Sequence, residues 1–303
     1  MTLFDAYLMV DWSASSRPNS GEDSIWIGVA VRDSGQVRLD KPENPRTRAA
    51  AELRVKQQLV EFVAQGCRVL VGFDFPYGYP SGFASALRLT SDLPPWRATW
   101  NRLRESIRDD ERNESNRFEV ASDLNAKLAA IPGPFWGCPP NRQTETLRST
   151  GCSYPYDTLT GGLLHRKRHA ERRLPRVQET WRLYGNGSVG SQALVGIPRV
   201  TALRGDAELA AHSRVWPFET GFTDRPTPQH GPFVLHAEIW PGVVTIDPTR
   251  HAVRDAAQVL TLAHHFAQLD EKGTLATLFD VPRDLSESDV DTCVAEEGWI
   301  LGA

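Results

Sequence analysis

The 303-residue sequence is poor in cysteine and has no long apolar run. Its four cysteines, Cys67, Cys138, Cys152 and Cys293, lie far apart and form no C-x-x-C pair, which argues against a zinc ribbon or a disulfide framework. No stretch approaches the ~20 apolar residues that cross a bilayer, and the first residues lack the basic lead of a signal peptide. We therefore expect a soluble, cytoplasmic protein of bacterial type with buried free thiols and no membrane association.

Several catalytic motifs are also missing. The eight histidines form no H-E-x-x-H pair, and neither a G-x-S-x-G elbow nor a Walker lysine is present. These absences argue against a zinc enzyme and against hydrolases that use a serine or cysteine nucleophile. The 303 residues nevertheless include 40% hydrophobic and 24% charged residues, enough to build a full core in one large domain or a domain with an insertion.

The charge balance excludes a general attraction to polyanions. Lys and Arg total 34 against 38 Asp and Glu, so any anion site must be local. One basic stretch, residues 165–176, stands out. In it Arg166, His169 and Arg173 are spaced by three and four residues, which on a helix would align them to hold successive phosphates. A solvated helix face is the alternative interpretation.

Short apolar runs bounded by turn residues predict strands. They cover residues 6–10, 24–31, 36–39, 68–74 and 233–239. A turn at 33–35 and a second hairpin connection would make the first three strands antiparallel neighbours. Apolar residues at helical spacing predict helices over 47–65 and 255–268.

The order of these elements predicts an α/β fold with a mixed sheet flanked by helices. It resembles the element order of the ribonuclease H-like superfamily, with the core formed by residues 1–80 and 231–303. Residues 81–230 contain Pro and Gly clusters that interrupt short helical stretches around 96–110 and 119–130. We interpret them as a large inserted region of mixed helix and loop.

Acidic residues stand at the predicted strand ends. In this arrangement the first and fourth strands are neighbours, so Asp11 and Asp74 would share a crevice, with Glu238 and Asp255 as candidates to join them. Gathered carboxylates repel one another and recruit Mg²⁺ or Mn²⁺, and two such ions about 4 Å apart can promote phosphodiester hydrolysis. We therefore predict Asp11, Asp74 and Asp255 as metal ligands and all four as catalytic residues. The alternative for Asp11 is a cap on the following turn.

A glycine-rich loop offers a second candidate site. Gly185, Gly187 and Gly190 match G-x-G-x-x-G, but Pro198 would cut the following helix short, which argues against a dinucleotide fold. The loop could still approach a phosphate through its main-chain N–H groups, with a plain structural turn as the alternative. The predicted substrate-binding residues are Ser13, Arg166, Arg173, Gly187, Ser188 and Gly190.

Five motifs together resemble a known family. They are VDWSAS at 10–15, GFDFPYGYP at 72–80, EIWP at 238–241, DAAQVLTLA at 255–263 and EGWILGA at 297–303. In order and spacing they are similar to the uncharacterised family numbered 429 among the domains of unknown function. That resemblance implies a ribonuclease H-like fold and a metal-dependent nuclease. Gln258 departs from the pattern, because related helices often carry an acidic residue at that position.

The leading hypothesis is a nuclease or phosphodiesterase that uses Mg²⁺ or Mn²⁺ and acts on nucleic acid or another phosphate-bearing substrate. A second hypothesis is an ATP-using phosphotransferase on the same fold, although no glycine-rich turn follows Asp11. A third is a non-catalytic module that binds nucleic acid or a protein through the basic stretch and exposed aromatics such as Trp96, Trp100 or Trp136.

Overall fold

The computed structural model describes residues 2–33, 35–89 and 92–303. Its strands are β1 (Ala6–Asp11), β2 (Trp26–Asp33), β3 (Gln36–Leu39), β4 (Arg68–Phe73), β5 (Tyr156–Asp157), β6 (Leu163–Leu164), β7 (Ser213–Val215) and β8 (Phe233–Glu238). Six of them form one sheet in the order β3-β2-β1-β4-β8-β7, and β5 pairs with β6 separately.

The large sheet is mixed. β2 is antiparallel to both β1 and β3, whereas β1, β4, β8 and β7 run parallel to one another. The five predicted strands are confirmed, with ends that shift by one or two residues. The predicted turn at 33–35 includes Ser34, which lies outside the described residues.

The helices are α1 (Arg48–Ala64), α2 (Phe83–Ala86), α3 (Pro95–Ser106), α4 (Arg117–Leu128), α5 (His169–Arg173), α6 (Gly190–Gly205), α7 (Arg254–Glu271) and α8 (Glu287–Thr292). α1 confirms the helix predicted over 47–65, and it begins where the Thr47 hydroxyl accepts the Ala50 N–H. α7 confirms the helix predicted over 255–268. None of the described helices combines the length and the apolar character needed to cross a bilayer.

Alternation along β1 sends its side chains into two separate cores. Ala6, Leu8 and Val10 pack in a core that also contains buried residues of α1, α3, α4 and α6. Tyr7 and Met9 pack on the opposite face of the sheet, in a core that contains α7. The chain is therefore an α/β protein with helices on both faces of a mixed sheet, as the sequence predicts.

The central region 81–230 is continuous with this core. Its strand β7 completes the large sheet, and its helix α6 contacts α1 of the core. The prediction that Pro198 ends a short helix is wrong, because α6 continues through it to Gly205. A proline inside a helix costs about 3 kcal/mol. Nine buried residues of α6 offset that cost through packing.

Close packing of α7 on the sheet requires a glycine in β2. A Cβ at Gly28 would lie 2.8 Å from the Val259 carbonyl carbon, which is helix backbone and cannot rotate away. We expect Gly28→Ala to lower the free energy of unfolding by about 1–3 kcal/mol, the usual cost of overpacking, as measured by urea denaturation. Gly205→Ala is the control, because a Cβ there meets no atom within 4 Å. Equal stability of the two variants would contradict this packing.

Candidate functional site

Asp11 and Asp74 meet at one edge of the large sheet. Asp11 ends β1 and Asp74 directly follows β4, and the parallel register sets Val10 opposite Phe73. The Trp12 N–H donates to Asp74 Oδ1 at 2.8 Å, which orients that carboxyl group. The side chains of the two aspartates also hydrogen-bond to each other. The shared crevice predicted from the strand order is therefore present.

The first turns of α7 bring two more side chains to the same place. Asp255 Oδ2 accepts the Asp23 N–H at 2.8 Å. Gln258 Nε2 donates to Asp11 Oδ2 at 3.1 Å. The residue that departs from the family pattern thus contacts the predicted site and orients one of its carboxyl groups.

The three aspartates line a single cleft of about 790 Å³. Its lining also includes the loop 183–188, the start of α6 and Arg117 of α4. Among the predicted substrate-binding residues, Ser13, Gly187 and Ser188 line this cleft. The structure therefore brings together six residues that the sequence predicts for the site, from segments far apart in the chain.

The three aspartates of the cleft form no ion pair with a described residue. Among the described residues, no Lys, Arg or His nitrogen lies within 4.0 Å of a carboxylate oxygen of Asp11, Asp74 or Asp255. Burial raises the pKa of Asp11 well above its usual range, and the neighbouring Asp74 and Asp255 raise it further. Burial raises the pKa of Asp74 to about 7, although the Trp12 N–H opposes the shift. Burial raises the pKa of Asp255 as well.

These carboxylates have the chemistry that a hard divalent cation prefers. Each accepts a hydrogen bond from a nitrogen of another residue, which orients its carboxyl group in the cleft. Mg²⁺ usually keeps several waters and is held by one or two carboxylates. Asp11 and Asp74, which touch each other, fit that role directly, and Asp255 fits contact through a water.

A tighter cluster of potential ligands lies elsewhere. In the described ranges, the group of three such atoms within 4.8 Å of one another is formed by His169, Cys293 and Glu297, and the three aspartates do not converge that closely. His169 Nδ1 already bonds to Glu297 at 2.7 Å, and its Nε2 bonds to Asp289 at 3.0 Å. Burial raises the pKa of the Cys293 thiol to about 12. These contacts join α5 to the C-terminal segment and account for the cluster without a metal.

Glu238, predicted as a further catalytic residue, is not among the residues that line this cleft. It ends β8, but its carboxylate is 96% buried and receives two bonds from Arg168, at 2.6 and 2.8 Å. The Tyr77 N–H donates a third bond at 2.9 Å. Because the charge is neutralised inside the protein, Glu238 supports the core rather than the cleft.

Arg166 and Arg173, predicted to bind phosphate from the basic stretch, do not line this cleft and contact acidic side chains. Only five residues of it are helical, and Arg166 precedes that helix and bonds to Glu179 at 2.5 Å. Arg173 pairs with Asp284 and lies over the Trp299 ring. Both arginines therefore form ion pairs with acidic side chains of the protein itself.

Gly190, also predicted to bind substrate, does not line the cleft. Its N–H donates to the Arg182 carbonyl at 2.9 Å, and a Cβ there would lie 2.3 Å from the Thr180 carbonyl oxygen. The residue is glycine because the start of α6 packs closely on the preceding chain.

The aromatic side chains proposed for a binding module are not exposed. Trp96 and Trp100 are 3% and 2% exposed, and Trp96 stacks on Phe218. Trp136 is half-buried, and its Nε1 donates to Glu179. The structure therefore removes the main support for a module that stacks bases on these rings.

Arg117, Asp23 and Gln192 also line the cleft, and the sequence does not single them out. Each belongs to a loop or helix whose position depends on long-range packing. No motif or spacing links these residues to the aspartates, so no sequence signal marks them.

No protein-family model, curated protein or solved structure matches this chain. The fold and the cleft therefore stand on the geometry described above.

The aspartate pair should destabilise the folded protein at high pH. Because folding raises the pKa of Asp74 from 3.8 to about 7, the folded state binds its proton more tightly than the unfolded state does. Stability is therefore lost as pH rises through that interval. We expect Asp74→Asn to raise Tm by a few degrees at about pH 8 and to lose most of that gain near pH 4. The asparagine can still accept the Trp12 N–H.

Thermal denaturation across pH measures this effect. Asp123→Asn, at an exposed position on α4, is the matched control and should show no such trend. A Tm gain for Asp74→Asn that does not change with pH would contradict the raised pKa.

Glu238→Gln should act on stability instead. Removing one partner of a buried ion pair leaves Arg168 partly unpaired and costs about 3–5 kcal/mol, measurable by urea denaturation. Glu119→Gln removes a half-exposed partner of Arg142 and should cost at most about 1 kcal/mol. Normal stability of Glu238→Gln together with loss of Mn²⁺ binding would restore Glu238 to the site.

Proposed function

We propose that this protein is a hydrolase of phosphate esters that depends on Mg²⁺ or Mn²⁺, with a phosphodiester of nucleic acid as its substrate. One observation carries the proposal: Asp11 and Asp74 hydrogen-bond to each other at the ends of two parallel strands, inside an open cleft. No positive side chain among the described residues pairs with either of them. Uncompensated carboxylates of this kind are expected where a cation binds.

The sheet supports a ribonuclease H-like identity for the fold. Three antiparallel strands are followed by parallel strands β4 and β8, and the first and fourth strands are neighbours. This agrees with the family resemblance of the five sequence motifs. A shared topology carries no activity by itself, so the proposed reaction rests on the cleft.

Asp11 and Asp74 would hold the cation, and Asp255 would orient a water in its shell. A bound divalent cation polarises a phosphoryl oxygen and lowers the pKa of a bound water. The site is preorganised, because Gln258 orients Asp11 and the Trp12 N–H orients Asp74. The raised pKa values mean that the pair retains a proton near neutral pH, and that proton must leave as the cation enters.

Calorimetric titration of Mn²⁺ and Mg²⁺ into the wild type and the double variant Asp11→Asn/Asp74→Asn tests the cation site. We expect binding by the wild type, loss of at least about tenfold in affinity in the double variant, and tighter binding as pH rises through about 7. Asp123→Asn should bind like the wild type. Binding of equal strength by the double variant would overturn the assignment of the ligands.

Labelled single- and double-stranded DNA and RNA, incubated with the metal-loaded protein, test the reaction. Cleavage should require the cation and disappear in Asp11→Asn/Asp74→Asn. A wild type that binds the cation but cleaves none of these polymers, nor a generic phosphodiester, would reject hydrolysis while leaving the cation site intact.

A further inference from the structure

Arg117 is a buried cation that lines the same cleft as the three aspartates. It begins α4 and is 7% exposed. Its guanidinium donates to three hydroxyl groups, those of Ser191 at 3.1 Å, Ser115 at 2.9 Å and Ser16 at 3.2 Å. All three hydrogen-bond partners are neutral, and the guanidinium also lies over the Phe118 ring. Asp109 and Glu119 act on the charge only from a distance, without a direct ion pair.

The acidic side chains nearest to Arg117 form ion pairs with other arginines. Asp109 accepts two hydrogen bonds from the Arg48 guanidinium and a third from that of Arg199. Glu119 pairs with Arg142. In the described part of the chain, no carboxylate oxygen lies within 4.0 Å of the Arg117 nitrogens. Burial lowers the pKa of Arg117 to about 10, and the nearby Arg48 adds to the shift. A buried charge without a counterion destabilises a protein unless a ligand supplies the opposite charge.

The N-terminus of α6 adds a second source of positive potential. This 16-residue helix begins at Gly190, and its N-cap residue Val189 provides no side-chain cap. Ser191 and Gln192, in its first turn, line the same cleft as Arg117. Among the described residues, no hydrogen-bond acceptor meets the backbone N–H of either one. Free N–H groups and the helix dipole favour an anion at this position.

The geometry points to an anion subsite, formed by the Arg117 guanidinium and the first turn of α6, that binds a phosphate group of the substrate. Its identification as the substrate's phosphate rests on the proposed function, whereas its ability to bind an anion does not. The aspartates and this subsite line the same cleft. A phosphate held at Arg117 would place a neighbouring ester bond toward the aspartates.

Titration of inorganic phosphate into the metal-free protein tests the subsite. Binding to the folded state raises Tm, so about ten times Kd of phosphate should raise the wild-type Tm by a few degrees over chloride of equal ionic strength. In Arg117→Met the affinity should fall by at least about tenfold, because the charge is lost. Arg117→Lys keeps the charge but not the fork and should retain part of the response. Arg283→Met, at an exposed position away from the cleft, is the control and should respond like the wild type.

A purely structural role for Arg117 predicts the opposite pattern. If the arginine mainly stabilised the fold, Arg117→Met would lower Tm without phosphate and keep the phosphate response. We expect instead that the phosphate-free Arg117→Met protein is at least as stable as the wild type, because a buried unpaired charge has been removed. If Arg117→Met does not fold, the phosphate-dependent rise in Tm is compared between the wild type and Arg117→Lys, and a smaller rise in Arg117→Lys supports the subsite. Absence of a phosphate-specific Tm rise in the wild type would overturn the subsite.

The same titration on Asp11→Asn/Asp74→Asn separates this inference from the proposed function. That variant should bind phosphate as well as or better than the wild type, because two nearby negative charges are gone. Phosphate binding that persists in a wild type without metal binding would reject the hydrolase but keep the subsite. Metal binding without phosphate binding would reject the subsite alone.

Discussion

The parallel pairing of β1 with β4 is the constraint on which the cleft depends. It makes the chain leave both strands at the same edge of the sheet, so Asp11 and Asp74 are brought into contact although 62 residues separate them. α7 then packs on one face and delivers Asp255 and Gln258, while the region 81–230 packs on the other and delivers Arg117. Without that one strand pair, these groups would have no common location.

Charged side chains form ion pairs in the core but not in the cleft. In the core, Arg168 is held between Glu171 and Glu238, and Asp109 is held between Arg48 and Arg199, so opposite charges meet and are neutralised. In the cleft, neither the three aspartates nor Arg117 form an ion pair with any residue that the structure describes. An ion pair between Arg117 and an aspartate would relieve both costs, but three serine hydroxyls hold the arginine in place. This separation of opposite charges is the arrangement expected for a cation and an anion that bind together.

The central region owes its irregular sequence to this role. It contributes a strand to the sheet, the buried helix α6 and one wall of the cleft, so its short elements are packed against the core. Its tryptophans Trp96 and Trp100 serve that packing, which explains why they are buried rather than presented to a ligand.

Local patterns in the sequence determined the elements of the core and the two aspartates. Alternating and helical periodicities reflect burial on one face, so the strands, α1 and α7 could be predicted, and a polar residue directly after a buried strand marks a strand end. Tertiary structure alone decided which charges are neutralised. Glu238 also ends a strand, yet Arg168, 70 residues away, neutralises it; Arg117 carries no distinguishing motif, yet it is left without a counterion. The partner of a charged side chain depends on how distant segments pack. The spacing of residues along the chain therefore does not predict which charges will pair.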